Sequence, residues 1–121
     1  MGVDEGRGSR LLRGILDACL LALVTERDRY GYELAAALHD AGLPIVRDGS
    51  IYPLLARLER RGLLTSYRTP AAGGPPRRYY RITDEGRTEL AAARTVWREV
   101  ATGVDAVIGR RSPHVREADH G

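Results

Sequence analysis

Residues 48–87 read DGSIYPLLARLERRGLLTSYRTPAAGGPPRRYYRITDEGR, and the rest of the chain can be placed around them. The stretch opens as a short helix. Pro53 has no N–H to donate and is tolerated only in a first helical turn, so the cap falls at about Ser50. Ile51, Leu54, Leu55 and Leu58 then recur at three- and four-residue spacing as an inward face. Tyr52, Arg57, Arg60 and Arg61 lie off that stripe, and Gly62 ends the helix. Two strands follow, LLTSYRT and RRYYRIT, joined at the Pro/Gly-rich tip PAAGGPPRR. In the second strand Tyr80 and Ile82 alternate with Tyr79 and Arg81, the period of a half-buried strand. Thr83 caps a new helix, with Asp84 and Glu85 in its first turn where carboxylates favour the dipole. A basic helix sized for a DNA groove, beside a hairpin with an arginine tip, is the layout of a winged helix–turn–helix.

The charge follows that layout. From Arg47 to Arg87 there are nine Arg against four acids, while residues 1–46 hold five against seven and residues 88–121 five against five. The formal net charge of +3 therefore comes from the segment expected to face DNA. All 19 basic residues are Arg. A GC-rich genome gives such a bias, so the excess alone is not a functional signal, although the planar guanidinium fork suits phosphate.

At 121 residues the chain is about one domain. Arg10–Glu26 reads as a first helix whose apolar face (Leu12, Ile15, Leu16, Cys19, Leu20, Leu23) is widened by Leu11, Leu21 and Val24, a width that calls for burial on two sides. Gly31–Ala41 is a second helix, stopped by Gly42 and Pro44. In the last helix Leu90, Ala93, Trp97, Val100, Val104 and Val107 are spaced 3, 4, 3, 4, 3, an a/d seam too short for a free coiled coil. It is read as a dimerisation helix packing on the wide face of the first, with Leu12 and Leu16 in the contact. The expected fold class is mainly α with a small β-hairpin wing. Residues 1–9 form a disordered tail, 10–83 the winged helix–turn–helix DNA-binding domain, 84–108 the C-terminal dimerisation helix, and 109–121 a second disordered tail.

These residues resemble the PadR family of transcriptional regulators, in the short form with a single C-terminal helix. The matching pieces are RGILDACLLALV, YGYEL, GSIYPLLARLERRGLL and RRYYRITDEGR, covering about residues 10–108. The resemblance implies a homodimeric repressor that binds a pseudo-palindromic operator and is released by a small molecule. Pro75 departs from it, standing where many members carry Arg or Lys at the wing, which leaves Arg77 and Arg78 to carry the tip.

The DNA contacts expected are Tyr32, Ser50, Tyr52, Arg57, Arg60, Arg61, Arg77 and Arg78. Hydroxyls of Ser50 and Tyr52 can donate to phosphate, and Arg57 can reach phosphate or a guanine edge. The plainer alternatives are that Ser50 only caps, that Tyr52 packs at the helix edge, and that Arg60 and Arg61 are solvated charge. Arg77 and Arg78 alternate in direction, so one can face the duplex while the other faces solvent. Tyr30 and Tyr32 open the second helix, as a staple or as phosphate contacts. In multidrug-sensing relatives a tryptophan in the stretch equivalent to Trp97 sandwiches flat aromatic ligands. The resemblance therefore makes Trp97 and Ala101, with Ala18 and Ala22 of the first helix, an effector site; dimer-core packing is the alternative.

Other functions find no residues to carry them. Cys19 sits on the apolar stripe as inert core, and a single thiol excludes an intramolecular disulfide. No cofactor loop, metal set or nucleophile–base pair is present, so neither a metal, a cofactor nor enzymatic activity is expected. The longest apolar run, Ala18–Val24, falls far short of the roughly 20 residues that span a bilayer. The N-terminus lacks an apolar signal core, and a cytoplasmic protein is expected. Two rival classes are a winged-helix module serving protein–protein assembly alone and a small-molecule carrier with vestigial DNA affinity. The local charge of the 47–87 segment argues against the first.

Overall fold

The computed structural model describes residues 2–43, 51–71 and 73–109, the side chains of residues 2–12 and 71 excepted. The chain divides into two units, Met1–Ala91 and Ala92–Gly121. Seven elements follow one another: α1 (Gly2–Glu26), β1 (Arg29–Tyr30), α2 (Gly31–Asp40), α3 (Ile51–Arg60), β2 (Leu64–Ala71), β3 (Gly74–Ile82) and α4 (Asp84–Ile108). The strands form one antiparallel sheet in the order β1-β3-β2. This is a winged helix–turn–helix in which β2 and β3 are the wing.

The core of the first unit is aliphatic. Leu16, Leu20, Leu21 and Val24 of α1 meet Leu34 and Leu38 of α2, Ile51, Leu55 and Leu58 of α3, Leu64, Tyr80 and Ile82 of the sheet, and Leu90 of α4. Leu55 is completely buried at the centre of α3. Truncating such a side chain to Ala costs about 2–5 kcal/mol, because the hole it leaves closes only in part. Leu16 and Leu90, both expected in a dimer contact, are used here within the chain's own core.

Helix ends fall where the local chemistry puts them. In α3 the N–H of Gly62 donates to the Glu59 carbonyl and that of Leu63 to the Leu58 carbonyl, each at 3.0 Å. The same pair of bonds closes α2 at Gly42 and Leu43. The motif needs a left-handed residue just past the helix, and Gly62 supplies it with φ +79. At the start of α4 the Thr83 hydroxyl accepts the Gly86 N–H at 2.9 Å and donates to the Gly62 carbonyl at 2.7 Å. One side chain thus caps α4 and ties it to the end of α3.

Three boundaries differ from the sequence reading. α1 begins at Gly2, eight residues before the Arg10 start expected, taking in residues expected as a disordered tail; GVDEGRGS holds no proline to bar helix growth from the apolar segment. β2 and β3 run to Ala71 and from Gly74, so the tip is a tight turn rather than a long loop, and Pro75 and Pro76 lie inside β3. One proline is tolerated because β1 pairs only with Tyr79 and Tyr80, leaving β3 open on that side at the tip, and its neighbour because the pairing with β2 is interrupted there. The register is irregular between Thr69 and Ala71, on either side of Pro70. The two-residue β1 was not foreseen; it is too short to carry a period of its own.

Candidate nucleic-acid interface

α3 is tied down on both flanks and open on one face. Ile51, Leu55 and Leu58 turn into the core, with Leu54 half-buried beside them. The opposite face presents Tyr52, Pro53, Ala56 and Arg60, all exposed. On one flank the Arg57 guanidinium donates to both carboxylate oxygens of Asp17 in α1, at 2.8 and 2.9 Å. Arg61 lies 3.9 Å from the same carboxylate and 3.6 Å from Glu89 in the first turns of α4. On the other flank Glu59 accepts the Ser66 hydroxyl of β2 at 2.7 Å, and Ser66 in turn accepts Arg78 of β3 at 2.9 Å. α1 and the wing therefore both fix how α3 is presented.

That geometry changes what several arginines can do. Arg57, expected at phosphate or a base edge, has its bidentate fork filled by Asp17, whose side chain is only 13% exposed. Its place in the helix turn, between core face and open face, points it at α1; the partner is 40 residues away in sequence. Arg60 is exposed, and among the described residues no carboxylate pairs with it.

The two faces of the wing differ in kind. Leu64, Ser66 and Arg68 of β2 pair with Ile82, Tyr80 and Arg78 of β3, so these six share the face that meets α3. Arg68 is exposed and sits opposite Arg78; sequence reading passed over it, since the pairing is legible only once the register is known. The other face carries Arg77, Tyr79 and Arg81, with Tyr67 and Tyr30. Tyr79 packs against Tyr30 and Tyr67 with ring centroids 5.4 and 5.8 Å away. Arg77 lies 4.6 Å over the Tyr30 ring and Arg81 4.9 Å over that of Tyr67. Asp28, in the turn after α1, accepts the Tyr67 hydroxyl at 2.6 Å and the Arg81 Nε at 3.1 Å. The Tyr67 hydroxyl, and after it Arg81, hold the Asp28 carboxyl below its usual range. This face is paired within itself, whereas Arg68 and Arg78 stand on the face that meets α3 through Ser66 and Glu59.

The remaining expected residues fall as follows. Ser50 lies outside the described residues, as does the side chain of Leu12. Tyr52 is 51% exposed, and Tyr32, exposed at the start of α2, has its ring 6.4 Å from that of Tyr30. Ala18 and Ala22 are half-buried in the first unit, where Ala22 packs against the core. Cys19 packs there too, and burial pushes its thiol up, opposite to what a reactive thiolate needs. In the second unit Trp97, Val100, Val104 and Val107 are exposed, Trp97 by 55%, while Ala93 and Ala101 are half-buried. Among the described residues no three His, Cys, Asp or Glu side chains are grouped to hold a metal ion, and no helix is long and apolar enough to cross a membrane.

Known proteins share this arrangement. The profile of the transcriptional regulator PadR-like family matches residues 20–92. A PadR-like transcriptional regulator from Bacillus cereus, known from its crystal structure, is 35% identical, with a TM-score of 0.75 over 84% of this chain and 99% of its own. A PadR family transcriptional regulator from Eggerthella lenta is 35% identical, with a TM-score of 0.71 over 92% and 99%. An uncharacterized protein of Lysinibacillus sphaericus is 32% identical over 99 residues, 80% of this chain and 91% of that one.

Proposed function

This chain belongs to the PadR-like family of transcriptional regulators, and from that premise we propose that it is a homodimeric repressor placing two α3 helices in the major grooves of a pseudo-palindromic operator. The observation that carries the reading is the open face of α3. Tyr52 and Arg60 stand at its two ends, and the wing face beside it adds Arg68 and Arg78. A phenol and cations of this kind donate to phosphate and anchor a helix in a groove. Tyr32 at the start of α2, and Ser50 immediately before α3, complete the proposed contact set. Arg57 acts instead as a positioning residue: with Arg61 it holds α3 to α1 through Asp17. Arg77, stacked on Tyr30, steadies the far face of the wing.

The dimer reading rests on the second unit. Trp97, Val100, Val104 and Val107 keep heptad spacing and are all exposed in the single chain, a row that a second copy covers by two-fold symmetry. Trp97 also supports an effector site for a small flat aromatic molecule, with Ala101 one turn on. A ligand there would lower operator affinity only by favouring one of two dimer arrangements over the other.

The test is a mobility shift of the full chain on the DNA upstream of its own gene. A salt-sensitive complex with a dissociation constant of about 10⁻⁸–10⁻¹¹ M is expected. Binding no tighter than to random duplex, or unaffected by salt, points to the assembly module instead.

A further inference from the structure

The middle of α3's open face has no hydrogen-bonding side chain. Tyr52 and Arg60 lie four residues to either side of Ala56, which puts Ala56 at the midpoint of the row, with Pro53 one turn before it. The polar residues nearest to Ala56, Arg57 and Glu59, are occupied by Asp17 and by Ser66. At its centre the helix can therefore present only a methyl group and the methylenes of a proline ring. The short Ala side chain also lets the helix backbone lie close to whatever it faces. In a major groove the one methyl group on a base-pair edge is the C5-methyl of thymine; it projects further than the C5–H of cytosine, and the remaining recognition groups are donors or acceptors.

We propose that Ala56, assisted by Pro53, is a specificity-determining residue that recognises a thymine methyl group in each half-site. The inference rests on α3 being the groove helix. Its chemistry is burial of one apolar group against another, with no charge involved. Ala56 therefore contributes to the choice of sequence and nothing to the salt dependence of binding.

The experiment starts by selecting binding sites for the full chain from a random duplex pool. A pool from which no sequence is enriched removes the groove reading, and this inference with it. In the enriched site each thymine is then replaced singly by uracil, which removes the methyl and leaves every hydrogen-bonding group in place. One position per half-site should weaken binding about fourfold, the worth of one buried methyl-sized group. In Ala56→Gly that penalty should vanish, and in Ala56→Ser, which keeps the β-carbon but adds a hydroxyl, it should shrink, while affinity for random duplex and its salt slope stay as in the parent. An enriched site in which every uracil replacement is neutral overturns the inference and leaves the groove reading intact. A penalty undiminished in both variants overturns it as well, by assigning the methyl contact to another residue.

Discussion

The ring of Tyr52, at the start of α3, lies directly against the α-carbon of Gly31, the first residue of α2. A β-carbon on Gly31 would come 2.5 Å from Cε1 and 2.9 Å from Cζ of that ring, closer than such atoms approach. Two pieces of sequence 20 residues apart, YGYEL and SIYPLL, are thus halves of one contact. The glycine leaves room for the ring and its hydroxyl, which both lie against the start of α2.

Gly31→Ala should therefore displace Tyr52 without unfolding the protein, since the ring is half exposed and can swing away. Operator affinity should fall while thermal stability changes by less than about 1 kcal/mol. The check is a double-mutant cycle. If Gly31 acts through Tyr52, adding Gly31→Ala to Tyr52→Ala should cost nothing further, with a coupling of about 0.5–3 kcal/mol. Strictly additive losses would mean that Gly31 matters for another reason.

Asp17→Asn releases Arg57 and leaves Arg61 with Glu89 alone. Losing a partly buried, charge-assisted bidentate contact should cost about 1–3 kcal/mol in chemical denaturation. Arg57, no longer held, becomes available to phosphate, while Arg61 keeps Glu89 at 3.6 Å, so affinity for random duplex should rise. The salt slope should steepen by about 1 for each arginine that takes up a contact. Arg57→Ala should lose similar stability yet leave the slope where it was. A slope made shallower by Arg57→Ala would place that guanidinium on DNA after all.

On the wing, direction decides role. Arg68→Ala and Arg78→Ala should each lower the salt slope by about 1 and weaken all sequences alike. Arg77→Ala, on the face paired with Tyr30, should leave the slope unchanged. Fluorescence anisotropy over a salt series separates the two behaviours.

Much of this was legible in the chain because the signals are local. Gly62 through its backbone and Thr83 through its hydroxyl fix helix ends, and they do so in the structure; the start read from Pro53, at Ser50, lies outside the described residues. The alternation around Tyr80 correctly assigned the two faces of β3. What stayed hidden depends on partners distant in sequence. Nothing near Arg57 announces Asp17, so an arginine on a basic helix reads as free until its neighbour is seen. Arg68 gains meaning only through its pairing with Arg78, which requires the turn to be placed. The seam from Leu90 to Val107 was read as one surface; its first member belongs to the core, and only the later ones are exposed.

Those exposed members carry the dimer prediction. Val100 is half exposed in the single chain, so Val100→Asp should leave the helix content and the fold of the first unit intact. An unpaired charge within an apolar seam should instead shift the chain to a monomer in sedimentation velocity and reduce operator binding with it. A variant that sediments as the parent dimer would place the interface elsewhere.

Paired α3 helices reading DNA are tested most directly by hydroxyl-radical footprinting of the full chain on its selected operator. Two protected half-sites related by inverted symmetry are predicted, with centres about 10 base pairs, or a multiple of that, apart, as a two-fold dimer demands. A single asymmetric protected stretch bound by one chain would contradict it.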